Sequence, residues 1–237
     1  MKFAIIGGSG FLDAFKGEEW ILRSCCGSVR VYVSKIGKNE VIFLPRHGLT
    51  HAIPPHKVNY AMNMSALKEA EVTDVITTNA CGIISKFKPG DFVLASDFMA
   101  HYLGPITLHD DFSSGVKHTD MSEPFSLQLN DRIKRAAKKT KVPLKEGGII
   151  ATAPGPRFET KAEIRAFKIL GANLIGMTNA YEVILARELE MNIASIAVAT
   201  NYACGLSKHP LTHAEVEAMV AKKSKDLKKL IEETIKL

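Results

Sequence analysis

Sulfur ligands and long apolar runs are both scarce in this sequence. Its four cysteines, Cys25, Cys26, Cys81 and Cys204, show no CxxC spacing and no histidine partner at zinc-ligand spacing, which argues against a metal site or a disulfide framework. No uninterrupted apolar stretch approaches the length that spans a bilayer, and the leading MKFAIIGGSG is too short and too glycine-rich for a signal peptide. The expectation is a cytoplasmic protein with reduced thiols, no metal and no membrane partner. A dinucleotide fingerprint is also incomplete: in Gly8-Ser9-Gly10-Phe11-Leu12-Asp13 the third glycine is replaced by Asp13, which weakens a nicotinamide reading. Internal repeats, low-complexity tracts and linkers are missing as well, so residues 1–237 read as a single domain.

What is present suits a soluble globular enzyme. Hydrophobic residues make up 46% of a chain long enough to bury a large core. A net charge of +6 invites a nucleic-acid reading, but the distribution argues against it. Much of the excess lies in RIKRAAKKTK and in the last helix over 222–236. There an apolar stripe of Val216, Met219, Val220, Leu227, Leu230 and Ile231 leaves the lysines mostly on the solvated face. Aromatic residues are not interleaved among them as a base-stacking platform requires, so no nucleic-acid partner is expected.

Periodicity predicts strands over 2–6, 29–36, 41–44, 74–78, 92–95, 147–151, 173–175 and 193–200, and helices over 59–70 and 126–139. Gly37-Lys38-Asn39 is a hairpin signal. Thr160-x-x-Glu163, Asn179-x-x-Glu182 and Thr212-x-x-Glu215 are capping-box patterns that open three further helices. The stretch 101–124 shows no period and reads as a long loop, functional or at a subunit contact.

Polar residues collect where strands are predicted to end. Ser9 sits in a glycine turn suited to an anion, although a plain turn residue fits as well. Arg46 and His47 follow a strand, and a guanidinium binds phosphate bidentately; on spacing alone an exposed basic loop is an equal reading. Asn79 and Ala80 follow the next strand. Phe158, Glu159, Met177, Thr178 and Asn201 fall at strand-to-helix junctions, and open α/β sheets bind ligands outside the carboxyl ends of their strands. For Glu159 the residues alone favour a simpler role, a charge complementing a helix N-terminus.

Taken together, GGSG, PRHG, KVNYAMN, TNACG before KPGD, SEPF, GPRFETKAE, GMTNAYEVILARELE and ATNYACG carry a resemblance that covers nearly the whole chain. The sequence resembles the purine nucleoside phosphorylase and methylthioadenosine phosphorylase family, with the motifs in the family's order. The resemblance implies an α/β fold with a mixed, partly barrel-like central sheet flanked by helices, assembled as a homotrimer or a dimer of trimers. It implies phosphorolysis of a purine nucleoside to free purine and a pentose 1-phosphate, with inorganic phosphate as co-substrate and no cofactor.

Carried over by position, it implies phosphate contacts from Ser9, Arg46, His47, Asn79, Ala80 and Thr178. Met177 is implied beneath the sugar, Phe158 against the base, and Glu159 and Asn201 at the base's polar edge, with Asn201 as the catalytic donor. His118 resembles a residue lent to a neighbouring subunit, and His213 and Val216 a helix start near the sugar 5′ position. The adenine-cleaving branch has paired aspartates where this chain has Asn201 and Ala203, and it lacks Phe158-Glu159-Thr160. The expected substrates are therefore 6-oxopurine nucleosides, namely 5′-methylthioinosine, inosine and guanosine, with 5′-methylthioadenosine as the alternative.

Overall fold

The computed structural model describes residues 2–8, 11, 15, 17–207 and 209–237. Strand β1 (Lys2–Gly7) is apolar at both parities, with Phe3 and Ile5 in one core and Ala4 and Ile6 in another. That pattern fits a strand covered on both faces. It runs parallel to β4 (Asn39–Pro45) on one side and β5 (Asp74–Ile83) on the other. The hairpin signal folds as read: β3 (Gly27–Ile36) pairs antiparallel with β4, and Gly37 takes the positive φ of +62° that the two-residue turn demands. An additional strand, β2 (Glu18–Ser24), extends the edge of the sheet; its side chains are mostly exposed, so no burial pattern announces it in the sequence.

Beyond β5 the sheet closes on itself. β5 pairs with β8 (Leu174–Gly176), followed by β7 (Leu144–Thr152), β6 (Phe92–Met99) and β9 (Asn192–Tyr202), and β9 returns to pair with β5. The result is the mixed, partly barrel-like sheet that the resemblance implies.

Helices cover both faces. On one side α1 (Tyr60–Glu69) and α4 (Asn179–Glu188) supply Met64, Leu67, Val183 and Leu185 to a shared core. On the other, α2 (Leu127–Thr140) and α5 (His213–Lys236) pack Leu129, Ile133, Leu227 and Leu230 against Phe3, Ile5 and Phe43. Each such fully buried side chain contributes about 1.5–3 kcal/mol of transfer free energy. α3 (Lys161–Ile169) buries Ile164 and Phe167 in a smaller cluster. Local capping explains several helix starts. Ser126 accepts from the Leu129 amide, Thr160 and Glu163 form the reciprocal box, and Thr212 accepts from the Glu215 amide. Several lysines of the basic helices are engaged nearby, Lys134 with Asp131 and Glu146, and Lys139 with Glu233.

Three local readings fail. Asn179-x-x-Glu182 is not a capping box: Thr178 is the N-cap of α4, without a side-chain cap bond, and Glu182 turns into the core. Asn79 to Gly82 do not follow a strand but continue β5, because pairing with β9 and β8 holds them in the barrel wall. Asn201 likewise lies inside β9. The stretch 101–124 has no regular element, as expected, and touches α4 where Leu108 N donates to Glu188.

Candidate functional site

A cavity of about 570 Å³ opens at the ends of β1, β4 and β9 and the start of α4, within the size range of small-molecule sites. Its walls bring together residues far apart in the chain. Arg46, His47, Ala80 and Thr178 line one part, with Gly8 beside them. Phe158, Glu159, Met177, Asn201 and Ala203 line another, and His213 and Val216 of α5 complete the wall.

Arg46 is 2% exposed and held from behind. Its Nε and Nη2 donate to the two carboxylate oxygens of Glu182, the Nη2 bond being 2.9 Å. Nη2 also donates to Thr77 Oγ1 (2.8 Å) and to the Thr78 carbonyl (3.1 Å), and the Thr77 hydroxyl donates to Glu182. The two-pronged edge expected to grip an anion thus grips Glu182. Nη1 is left for the cavity, and it has no hydrogen-bond partner among the described residues. Glycine at position 8 makes this possible, since a Cβ there would meet Nη1 at 2.6 Å. Burial alone would lower the Arg46 pKa, but the charge and hydrogen bonds of Glu182 leave it above its ordinary value.

His47 is equally constrained. Nδ1 lies 2.7 Å from the Ile53 carbonyl, which can only accept, so Nδ1 carries the proton and Nε2 remains to face a ligand. Burial, with the neighbouring Arg46 charge, lowers its pKa to about 4, so the ring is neutral near pH 7. Its ring is followed by those of His51 and His213, with centroid separations of 4.6 and 6.2 Å.

Thr178 is oriented by a buried polar chain. Asn179 Nδ2 and Ser195 Oγ both donate to Asn79 Oδ1, and Asn79 Nδ2 donates to Thr178 Oγ1 at 2.9 Å. With its oxygen already accepting, the Thr178 hydroxyl proton is available to the cavity. Asn79 therefore stands behind Thr178 and does not itself line the cavity.

At the other part of the cavity Glu159 is 7% exposed, and burial raises its carboxyl pKa above the ordinary value. Phe158 beside it is exposed and lines the cavity. Gly155, at φ +65°, lets the preceding loop close over Met177, whose Sδ would lie 2.6 Å from a Cβ at that position. Asn201 owes its direction to an irregularity in β9: Ala199 pairs with Cys81 and Asn201 with Gly82, leaving Thr200 as an extra residue. Such a bulge re-aims the side chains that follow it. Thr200 Oγ1 lies 2.6 Å from Asn201 Oδ1, and Asn201 Nδ2 donates to the Tyr202 carbonyl at 3.2 Å.

Ser9 falls outside the described residues. His118 is exposed in the 101–124 stretch, its ring edge against Phe112 at 5.8 Å, and it does not line this cavity. Sequence reasoning missed Glu182, Thr77 and Thr200, and also Ile53, Pro54 and Leu211, which line the cavity. Apolar loop residues such as Ile53 carry no local signal of this placement. Among the described residues no group of three histidine, cysteine or acidic side chains could hold a metal ion.

Comparison with known proteins adds an independent line. Residues 2–236 match the family model described as the phosphorylase superfamily. The chain is 43% identical to a 6-oxopurine nucleoside phosphorylase of Pyrococcus furiosus, over 97% of this chain and 90% of that one. It is 38% identical to a probable S-methyl-5′-thioinosine phosphorylase of Methanopyrus kandleri, over 99% and 91%. The structure of methylthioadenosine phosphorylase from Schistosoma mansoni in complex with adenine superposes with a TM-score of 0.92 at 30% identity, covering 99% of this chain and 91% of that one. By sequence over its whole length, and by fold, the chain belongs to the phosphorylase superfamily.

Proposed function

We propose that this protein is a purine nucleoside phosphorylase that cleaves 6-oxopurine nucleosides, 5′-methylthioinosine, inosine and guanosine among them, to free base and a ribose or methylthioribose 1-phosphate. The observation that carries the reading is one cavity with an oxyanion-binding wall, Arg46 Nη1 and the Thr178 hydroxyl, and a second wall with a buried carboxylate, Glu159, beside Asn201. The relatives named for 6-oxopurine nucleosides and methylthioinosine support it.

Cleaving the glycosidic bond builds positive charge on the sugar and negative charge on the departing purine. Catalysis then consists of holding phosphate beneath the sugar carbon and stabilising the purine as it leaves. Arg46, His47 and Thr178 hold the phosphate, and Met177 supports the sugar. Phe158 stacks on the base. Ionised Glu159 accepts a hydrogen bond from N1–H, which a 6-oxopurine has and adenine lacks, and Asn201 donates its remaining amide proton to the leaving purine. Ile53, Leu211 and Val216 offer apolar contact to a 5′-methylthio group, and His51 and His213 offer hydrogen bonds to a 5′-hydroxyl.

The protein acts as a cytoplasmic single-domain enzyme in a closed homo-oligomer, a trimer or a dimer of trimers, with no cofactor beyond phosphate. None of the described helices is long and apolar enough to cross a membrane. Product analysis tests the reaction: inosine or methylthioinosine should disappear only when phosphate is supplied and yield one pentose 1-phosphate per purine. Equal turnover in phosphate-free buffer would identify a hydrolase instead.

A further inference from the structure

The oxyanion wall combines two kinds of group. Arg46 Nη1 can only donate, and the Thr178 hydroxyl, already accepting from Asn79, offers its proton, whereas His47, with Nδ1–H committed to the Ile53 carbonyl at 2.7 Å, presents Nε2 as an acceptor. An oxyanion without a proton satisfies the donors but sets a lone pair against Nε2.

We propose that His47 reads the proton on the bound oxyanion, so that the site takes phosphate or arsenate carrying an O–H and discriminates against sulfate. The inference rests on the phosphorolysis reading above. One proton sits between Nε2 and the oxyanion in the complex, whichever atom holds it. Monobasic phosphate brings that proton with it. Sulfate has none near neutrality, so the ring must take one from solvent.

The surroundings of His47 make that uptake unfavourable. Arg46 lies beside it, His51 and His213 add repulsion, and the ring is 7% exposed. The nearest compensating acid acts at one remove: Glu217 lies 3.4 Å from His213 Nε2 and favours protonation of His51. Glu182 is fully engaged with Arg46 and Thr77. The free ring gives up its proton at about pH 4, so above that point sulfate binding must be accompanied by proton uptake.

The linkage has a definite sign. Where a ligand binds only with an added proton, its affinity falls about tenfold per pH unit. Sulfate affinity should therefore drop roughly 100-fold between about pH 5 and 7. Phosphate keeps an O–H on both sides of its second ionisation near neutrality, so its affinity should show no comparable fall over this range, and arsenate should follow phosphate.

The test is calorimetric titration of the intact wild-type protein and of His47→Asn with inorganic phosphate, arsenate and sulfate across this pH range, in buffers of different ionisation enthalpy. The expected result is one proton taken up per sulfate, none per phosphate at the acidic end, and a phosphate-to-sulfate affinity ratio that widens with pH. His47→Asn should lose the slope for sulfate. Level sulfate affinity without proton uptake in the wild type would overturn the inference, whatever the variant does. A slope that persists in a folded His47→Asn would overturn it too, by assigning the proton to His51 or His213. Failure of phosphate to bind or to support nucleoside cleavage would sink the phosphorolysis reading itself, an outcome distinct from phosphate binding with level sulfate affinity.

Discussion

Burial sets the acid–base behaviour of Glu159, the residue to which the proposed function assigns base selectivity. In the free protein its carboxyl stays protonated above the usual carboxylate range, because burial disfavours the charge. Only the ionised form accepts N1–H. Activity on 6-oxopurines should therefore rise as pH climbs through this raised pKa, and Glu159→Gln should remove that acid limb from kcat/KM and narrow the preference for inosine over adenosine. The stability consequence has the opposite sense. A raised folded pKa means that the folded state binds the proton more tightly than the unfolded state, so the contribution is present at acid pH and lost as pH rises through the folded value. Thermal melts of Glu159→Gln near pH 7 should accordingly show no loss of stability. If Asn201 is the donor to the leaving purine, Asn201→Ala should lower kcat/KM for 6-oxopurines by roughly 100-fold, the loss typical of a removed transition-state donor. On residues alone a charge before a helix has a simpler explanation for Glu159; its burial in the cavity wall is what favours the proposed role.

Among the elements, the decisive contact is the one between α4 and the end of β4. Glu182 and Arg46 are each 2% exposed, and removing one partner of a buried ion pair leaves the other charge uncompensated, at a cost of about 3–5 kcal/mol. Glu182→Ala should lose stability of that order in denaturant unfolding and raise KM for phosphate more than KM for nucleoside, since Arg46 would be free to swing from its place. The sequence shows why this contact was hidden. Thr160-x-x-Glu163 was legible because both its bonds close within four residues, whereas Asn179-x-x-Glu182 has the same spacing and sends its glutamate to an arginine 136 positions away. Local pattern ends a strand at Thr78 and sets Asn79 beyond it for a related reason. The polar side chains of Thr77, Thr78 and Asn79 bond to Arg46, the Ile6 carbonyl and Thr178, partners remote in sequence that only the tertiary fold supplies.

At the scale of the whole molecule, the flanking helices and most strands are legible from period and caps, and the family resemblance implies a partly barrel-like sheet, but the β5–β9 pairing that closes it has no local signal in the sequence. The stretch 101–124 holds exposed Tyr102, Phe112 and Val116 together with His118. A site completed across subunits makes a specific prediction. Mixing His118→Ala subunits with subunits inactivated at Arg46 should restore part of the activity, because some sites in mixed oligomers lack both lesions; verified mixed oligomers without recovery would remove His118 from the neighbouring site. The central claim is selectivity for the 6-oxopurine, and its most direct measurement is kcat/KM of the wild type in phosphate for inosine against adenosine and for methylthioinosine against methylthioadenosine. A site whose buried carboxylate pairs with N1–H should reject the amino analogue by as much as about 10⁴-fold, so both 6-oxopurines should lead their pairs by a wide margin. Adenosine or methylthioadenosine as the best substrate would contradict the account.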